Sequence, residues 1–598
     1  MNVAVPAADW KDEFLTQKQR RSFMSKSRNL LYVDSIVIFL QLHRGRKEQA
    51  NLDKEKIKLK MKGILIIFFC ISGFAFAQQS TEEQPLVTAP IGKIRGSIFT
   101  TRLGRKVYSF RGIRYGEPPI GQLRFHRQPP IPANDWRNIF DATEEGPSCP
   151  HPGGKIMSED CLRLNVYTTK LPCKHENVSR PVMIFIHPGG FYGFSGQSAN
   201  FGPQYLLDKD IVLVTINYRL GTLGFLNTGD SLAPGNMGLK DQVLAFQWVQ
   251  RNIAAFGGNP NSVTLCGYSA GSFSIMLHMV SPMSRNLFHR AIAMSSSAIK
   301  LEVYSGVSQR GQPELVQKQA RLLDCPTDST SSLLRCFRSK PAENFTNTFN
   351  SLFDWRGNPT LLWSPAVEPE VPGIERFLTD QPYNLIKQRK FHQVPLILGV
   401  TTDELGGQSP IILLNCIDYE RAAQSGNDTI YRELDKNWNT LAPILLADCL
   451  TIFPVYRAAK LFATYSTHPV YFYKFTFQGR RSFYPLNDTT PYGVSHHDDL
   501  QYLFFMKNFF SYFESDAPEI PMVEISTSIW SNFVINGEPI PKDDDKLRNV
   551  KWSNLIPEQT NFLELNLYPS MKTEFFPERM RLWETLFPAP PVPNTVKH

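Results

Sequence analysis

The sequence predicts an α/β fold: a mostly parallel central sheet with helices on both faces and long insertions. Three observations predict it. Short β-branched runs recur along the chain, helical periodicity fills the stretches between them, and one run passes through a glycine-flanked serine directly into a helix.

The runs VMIFIH (182–187), IVLVTIN (211–217), VTLCG (263–267) and VPLILGV (394–400) read as parallel strands, because strands covered on both faces are apolar at nearly every position. VYFYKFTF (470–477) reads as a later strand, and LKDQVLAFQWVQRNIAAF (239–256) as a helix between strands. In SVTLCGYSAGSFSIMLHMV (262–280) the strand stops at Gly267, and Phe273, Met276, Leu277 and Val280 then fall on one face of a helix. Strand, tight turn and helix are what a nucleophile elbow requires, with the hydroxyl of Ser269 exposed at the turn and only small residues beside it. No Gly/Ser linker or charged hinge interrupts residues 78–587, which read as one large domain; the proline-rich end, residues 588–598, reads as a disordered tail.

With 42% hydrophobic residues the chain can bury a large core, yet it holds no run of about 20 apolar residues, so no membrane-spanning helix is expected. Residues 1–60 differ from the rest, with 13 Lys or Arg against 7 Asp or Glu. They precede MKGILIIFFCISGFAFAQQ, a basic residue, an apolar run and Ala75-Phe76-Ala77, which reads as a secretory signal peptide over 61–77 released before Gln78. Residues 1–60 then read as a non-mature extension, with Met61 the expected start. Of the formal charge of +9, +7 lies in residues 1–77, leaving about +2 on the mature chain and no case for nucleic acid.

Export makes disulfides plausible: Cys149 with Cys161, and Cys325 with Cys336, could each close a loop of about a dozen residues. Asn177, Asn344, Asn427 and Asn487 head glycosylation sequons. No C-x-x-C pair or His/Cys cluster points to zinc, and no cofactor is expected.

Acyl transfer at a serine needs a base, an acid that orients the base, and amide donors for the developing oxyanion. Upstream, FIHPGGFYGFSG (185–196) runs from a strand into Gly189-Gly190, where absent side chains let backbone amides face a ligand; Ala270, just past the serine, offers a third. Downstream, LILGVTTDELGG (396–407) supplies Asp403 or Glu404 as acid, and PYGVSHHDDLQYLF (491–504) supplies His496 or His497 as base. Residue chemistry leaves both choices open. The order serine, acid, histidine is that of an α/β-hydrolase sheet.

Together these segments resemble the type-B carboxylesterase family, which includes cholinesterases, insect secreted esterases and juvenile hormone esterases. FRGIRYGEPPIGQLRF (110–125), SEDCLRLNVY (158–167), NYRLGTLGFL (217–226), GNMGLKDQVLAFQWVQRNIAAFGGNP (235–260) and GYSAG (267–271) follow in register, and the likeness spans roughly residues 85–585. The resemblance implies the α/β-hydrolase fold, Ser269 as nucleophile, Glu404 as acid, His496 as base, and Gly189, Gly190 and Ala270 as oxyanion donors. It also implies the disulfides Cys149–Cys161 and Cys325–Cys336; a third family disulfide is not matched, Cys416 and Cys449 could pair instead, and Cys173 and Cys266 have no evident partner.

Two departures bear on substrate. The family's H-G-G-G is His187-Pro188-Gly189-Gly190, where proline lacks an amide donor but both donating glycines remain. Tyr268 precedes the serine where cholinesterases carry glutamate and juvenile hormone esterases usually glutamine. The loop PHPGGKIMSED between Cys149 and Cys161 also lacks the tryptophan on which cholinesterases stack choline, so acetylcholine is not the expected substrate. The expectation is a secreted, glycosylated serine hydrolase of small-molecule carboxylesters. The alternatives are a specialised juvenile hormone esterase, a lipase or thioesterase, and a catalytically silent neuroligin-like adhesion protein.

Overall fold

A computed structural model describes residues 84–588 except 133–135, 300–306, 309–311, 354–360, 406–443, 488–489, 492, 542–546 and 548–549. Eleven strands build the main sheet: β1 (Ser97–Thr100), β2 (Lys106–Arg114), β3 (Arg163–Thr168), β4 (Arg180–Ile186), β5 (Val212–Ile216), β6 (Gly258–Tyr268), β7 (Arg290–Met294), β8 (Leu396–Thr401), β9 (Val470–Phe475), β10 (Phe562–Leu565) and β11 (Ser570–Lys572). Their spatial order is β11-β10-β9-β8-β7-β6-β4-β5-β3-β2-β1. The block from β5 through β4 and β6 to β10 is parallel, while β1, β2, β3 and β11 pair antiparallel at the edges. The five strands expected from sequence are all in the parallel block, where both faces are covered and the apolar signal is strongest.

Alternation along each strand splits the core into two layers. Val182, Ile184 and Ile186 of β4, with Ala291 and Ala293 of β7, point into one. Met183 and Phe185, with Ile292 and Met294, point into the other. Helices α1 (Met237–Asn252), α2 (Ala270–Val280) and α3 (Phe453–Tyr465) place Phe246, Ile275 and Phe462 in the first layer. Helix α4 (Ile520–Asn536) covers the second with Ile529, Trp530 and Phe533. Helix α2 has no solvent face: every residue from Ala270 to Val280 is buried, the hydrogen-bonded Ser272, Ser274 and His278 included. Residues from Gln84 onward cluster as one unit, and among the described residues no helix is long and apolar enough to cross a membrane.

Candidate active site

Register brings the sequence-predicted segments to one edge. In β4 and β6, Ile186 pairs with Gly267, so the residues after His187 leave the sheet level with Ser269 and Ala270. In β6 and β7, Tyr268 pairs with Met294, and Met294 pairs with Gly399 of β8, so Glu404 emerges two strands away at the same end. The carboxyl ends of parallel strands are where such sheets bind ligands.

Ser269 has φ 54° and ψ −117° at the junction of β6 and α2, and is the only residue between Val263 and Val280 that is not buried. A serine enters this region only when its surroundings hold it there. Its amide donates to the Met294 carbonyl at 2.9 Å, and its carbonyl accepts the Phe273 amide at 2.9 Å. Both flanking glycines are sterically required. A Cβ on Gly267 would lie 2.6 Å from the Gly271 carbonyl, and one on Gly271 would strike the Ile186 carbonyl oxygen.

Gly189 and Gly190 adopt φ of +114° and +58°. The Gly189 carbonyl accepts the amides of Tyr192 and Gly193, each at 2.9 Å, which folds the loop tightly after β4. Ala270 opens α2, where a helix leaves its first amides without intrahelical acceptors. His187 is stacked on Tyr218 at 4.4 Å, and burial lowers its pKa to about 3, so it enters the loop neutral.

The two open choices separate geometrically. Glu404 is fully buried and its carboxylate meets Nδ1 of His496 at 2.5 Å, while its other oxygen accepts the Thr401 amide at 2.9 Å. Asp403 instead receives the Val494 amide at 2.9 Å and returns its own amide to the Val494 carbonyl at 3.0 Å, tying the acid loop to the histidine loop. The imidazole of His497 makes no hydrogen bond among the described residues. Burial raises the Glu404 carboxyl above its ordinary range, opposed by the hydrogen bond it accepts from the Thr401 amide. Burial, then the charge of Glu404, pushes Asp499 up to about 8. Burial also lowers the His497 imidazole well below its ordinary range.

Sequence reasoning held Asp498 only inside a quoted stretch and singled out Tyr268 only as a departure from the family pattern. Asp498 is the hub of the histidine turn, accepting the amides of Ser495 and Phe483 at 2.8 Å each and the Ser482 hydroxyl at 2.7 Å. Tyr268 packs its ring 5.1 Å from His496 and accepts the His497 amide at 2.8 Å. The only available signal for Tyr268 was that the family carries a different residue there.

The disulfides Cys149–Cys161 and Cys325–Cys336 are both formed. Cys173 is exposed, Cys266 and Cys449 are buried, and Cys416 lies outside the described residues. Asn177 is exposed, Asn344 is half-buried on a short helix, Asn487 ends the short strand Pro485–Asn487, and Asn427 lies outside the described residues. Among the described residues no group of three or more His, Cys, Asp or Glu could hold a metal ion.

The model of the carboxylesterase family matches residues 83–441 and 428–583. Esterase FE4 of Myzus persicae is 36% identical over 523 residues, covering 80% of this chain and 88% of its own length. Juvenile hormone esterase of Tribolium castaneum is 31% identical over 559 residues, covering 84% and 92%. The crystal structure of juvenile hormone esterase from Manduca sexta, with OTFP covalently attached, superposes with a TM-score of 0.73 at 27% identity, over 84% of this chain and 100% of that one. With profile, relatives and sheet in agreement, the chain belongs to the carboxylesterase family and is a carboxylic ester hydrolase with the α/β-hydrolase fold.

Proposed function

We propose that the protein is a secreted, glycosylated esterase that cleaves small-molecule carboxylesters through an acyl-enzyme on Ser269. His496 takes the proton of the Ser269 hydroxyl as its oxygen attacks the ester carbonyl. Glu404 holds Nδ1 of the ring and stabilises the imidazolium that forms. The amides of Gly189, Gly190 and Ala270 receive the oxyanion. His496 then protonates the leaving alcohol, and water releases the acid by the same route. The cycle needs no metal and no organic cofactor. One observation carries the reading: the buried Glu404–His496 bond lies against Tyr268, the residue next to the strained serine.

The exported chain starts at Gln78, after loss of residues 1–60 and the signal peptide 61–77, with the catalytic domain at 78–587 and glycans at Asn177, Asn344, Asn427 and Asn487; residues 1–83 and 589–598 lie outside the described residues. The decisive experiment treats the secreted protein with an organophosphate and maps the adduct by mass spectrometry, with Ser269→Ala as control. An adduct on Ser269 and an inactive mutant are expected; labelling elsewhere, or unchanged hydrolysis in the mutant, would falsify the assignment. Two relatives carry the name juvenile hormone esterase. Comparing turnover of short-chain aryl esters with that of juvenile hormone and of long-chain acyl esters separates a general esterase from the specialised alternatives.

A further inference from the structure

The turn that carries His496 is held from the serine's own strand. Tyr268 is the last residue of β6 and fully buried. Its phenol oxygen accepts the His497 amide at 2.8 Å, and its ring lies 5.1 Å from the His496 ring and 5.0 Å from that of His497. His497 has φ +80°, a conformation that a residue with a side chain holds only under outside constraint. Its imidazole is packed among rings but makes no hydrogen bond, since both ring nitrogens lack a partner among the described residues. The hydrogen-bonded constraint runs through the main chain, from the His497 amide to the phenol.

We propose that Tyr268 is a positioning residue, fixing the His496 turn to the strand end that bears Ser269 so that nucleophile and base keep one geometry. One hydrogen bond and one peptide bond then separate the base-carrying turn from the nucleophile. The inference rests on the assignment of Ser269 and His496 given above. It differs from the resemblance, in which this position is a glutamate in cholinesterases and usually a glutamine in juvenile hormone esterases.

Two substitutions test it. Tyr268→Phe removes only the hydroxyl, and Tyr268→Gln removes the ring in favour of a residue type that the fold accommodates in relatives. Each variant is checked for folding by its melting temperature and its active sites are counted by stoichiometric organophosphate labelling. kcat per titrated site is expected to fall about 10- to 100-fold, the consequence of an unpaired buried amide and a loosened base, with KM for an aryl ester within about twofold of the parent. A merely structural role lowers the melting temperature and the titratable fraction but leaves kcat per site within about twofold of the parent. That result in either folded variant overturns the proposal. An active Ser269→Ala protein strikes the underlying assignment instead, so the two failures are distinguishable.

Discussion

Glu404→Gln keeps the size of the acid and removes its charge, leaving the His496 ring without a partner that fixes its tautomer. kcat for an aryl ester is expected to fall by about four orders of magnitude while the protein stays folded. Gly189→Ala acts differently: the new Cβ collides with the Gly193 carbonyl in a loop at φ +114°, so the loop must shift. Loss of one oxyanion donor lowers kcat about 10²- to 10³-fold, read by steady-state kinetics on the folded variant. A third prediction concerns stability. His278 joins Gln242 of α1 at 2.8 Å and Ser284 at 2.7 Å, and burial lowers its pKa from 6.5 to about 3. Between those values the unfolded chain binds a proton that the folded chain refuses. The stabilisation is therefore complete above pH 6.5 and lost as pH falls toward 3, by up to about 1.4 kcal/mol per pH unit. His278→Gln should flatten this slope by about one proton in urea unfolding between pH 7 and 5. Glu404 and Asp499, which burial raises above the ordinary carboxylate range, push the other way as pH rises, but they are common to parent and variant and cancel in the comparison.

At the level of elements, the strands legible in the sequence all have two-sided burial, and their order along the chain led to the proposed serine, acid and base. Six strands were not read, β1, β2, β3, β7, β10 and β11: β1 runs from half-buried to exposed, and β7 and β11 have five and three residues, too short for periodicity or length to mark them. Residue chemistry alone left Asp403 and Glu404 open, and only the resemblance pointed to Glu404. Adjacent acids differ only in which loop their side chains meet, here Val494 for one and His496 for the other, 91 and 92 residues away. The disulfides are separable elements. Each closes a loop with a sequence separation of 12 or 11. Replacing both Cys149 and Cys161 by Ser should lower stability by about 3 kcal/mol, measured as a shift in the chemical-denaturation midpoint.

For the whole molecule, the division of labour is the salient feature. The serine sits between the buried end of a strand, Val263–Tyr268, and a helix buried from end to end, whereas the proposed acid and base come from loops joined by the reciprocal Asp403–Val494 hydrogen bonds. Proteolysis or mild heating should therefore abolish hydrolysis before the sheet unfolds, with ester turnover lost ahead of the far-ultraviolet circular dichroism signal. The packing of Gly271 against the Ile186 carbonyl carries a consequence for the history of such a chain. Lineage-to-lineage drift is barred at the elbow itself, because any larger residue there drives helix α2 away from strand β4. Diversification toward new esters must instead accumulate in surrounding loops, such as those bearing Phe194 and Phe483, whose rings flank His497.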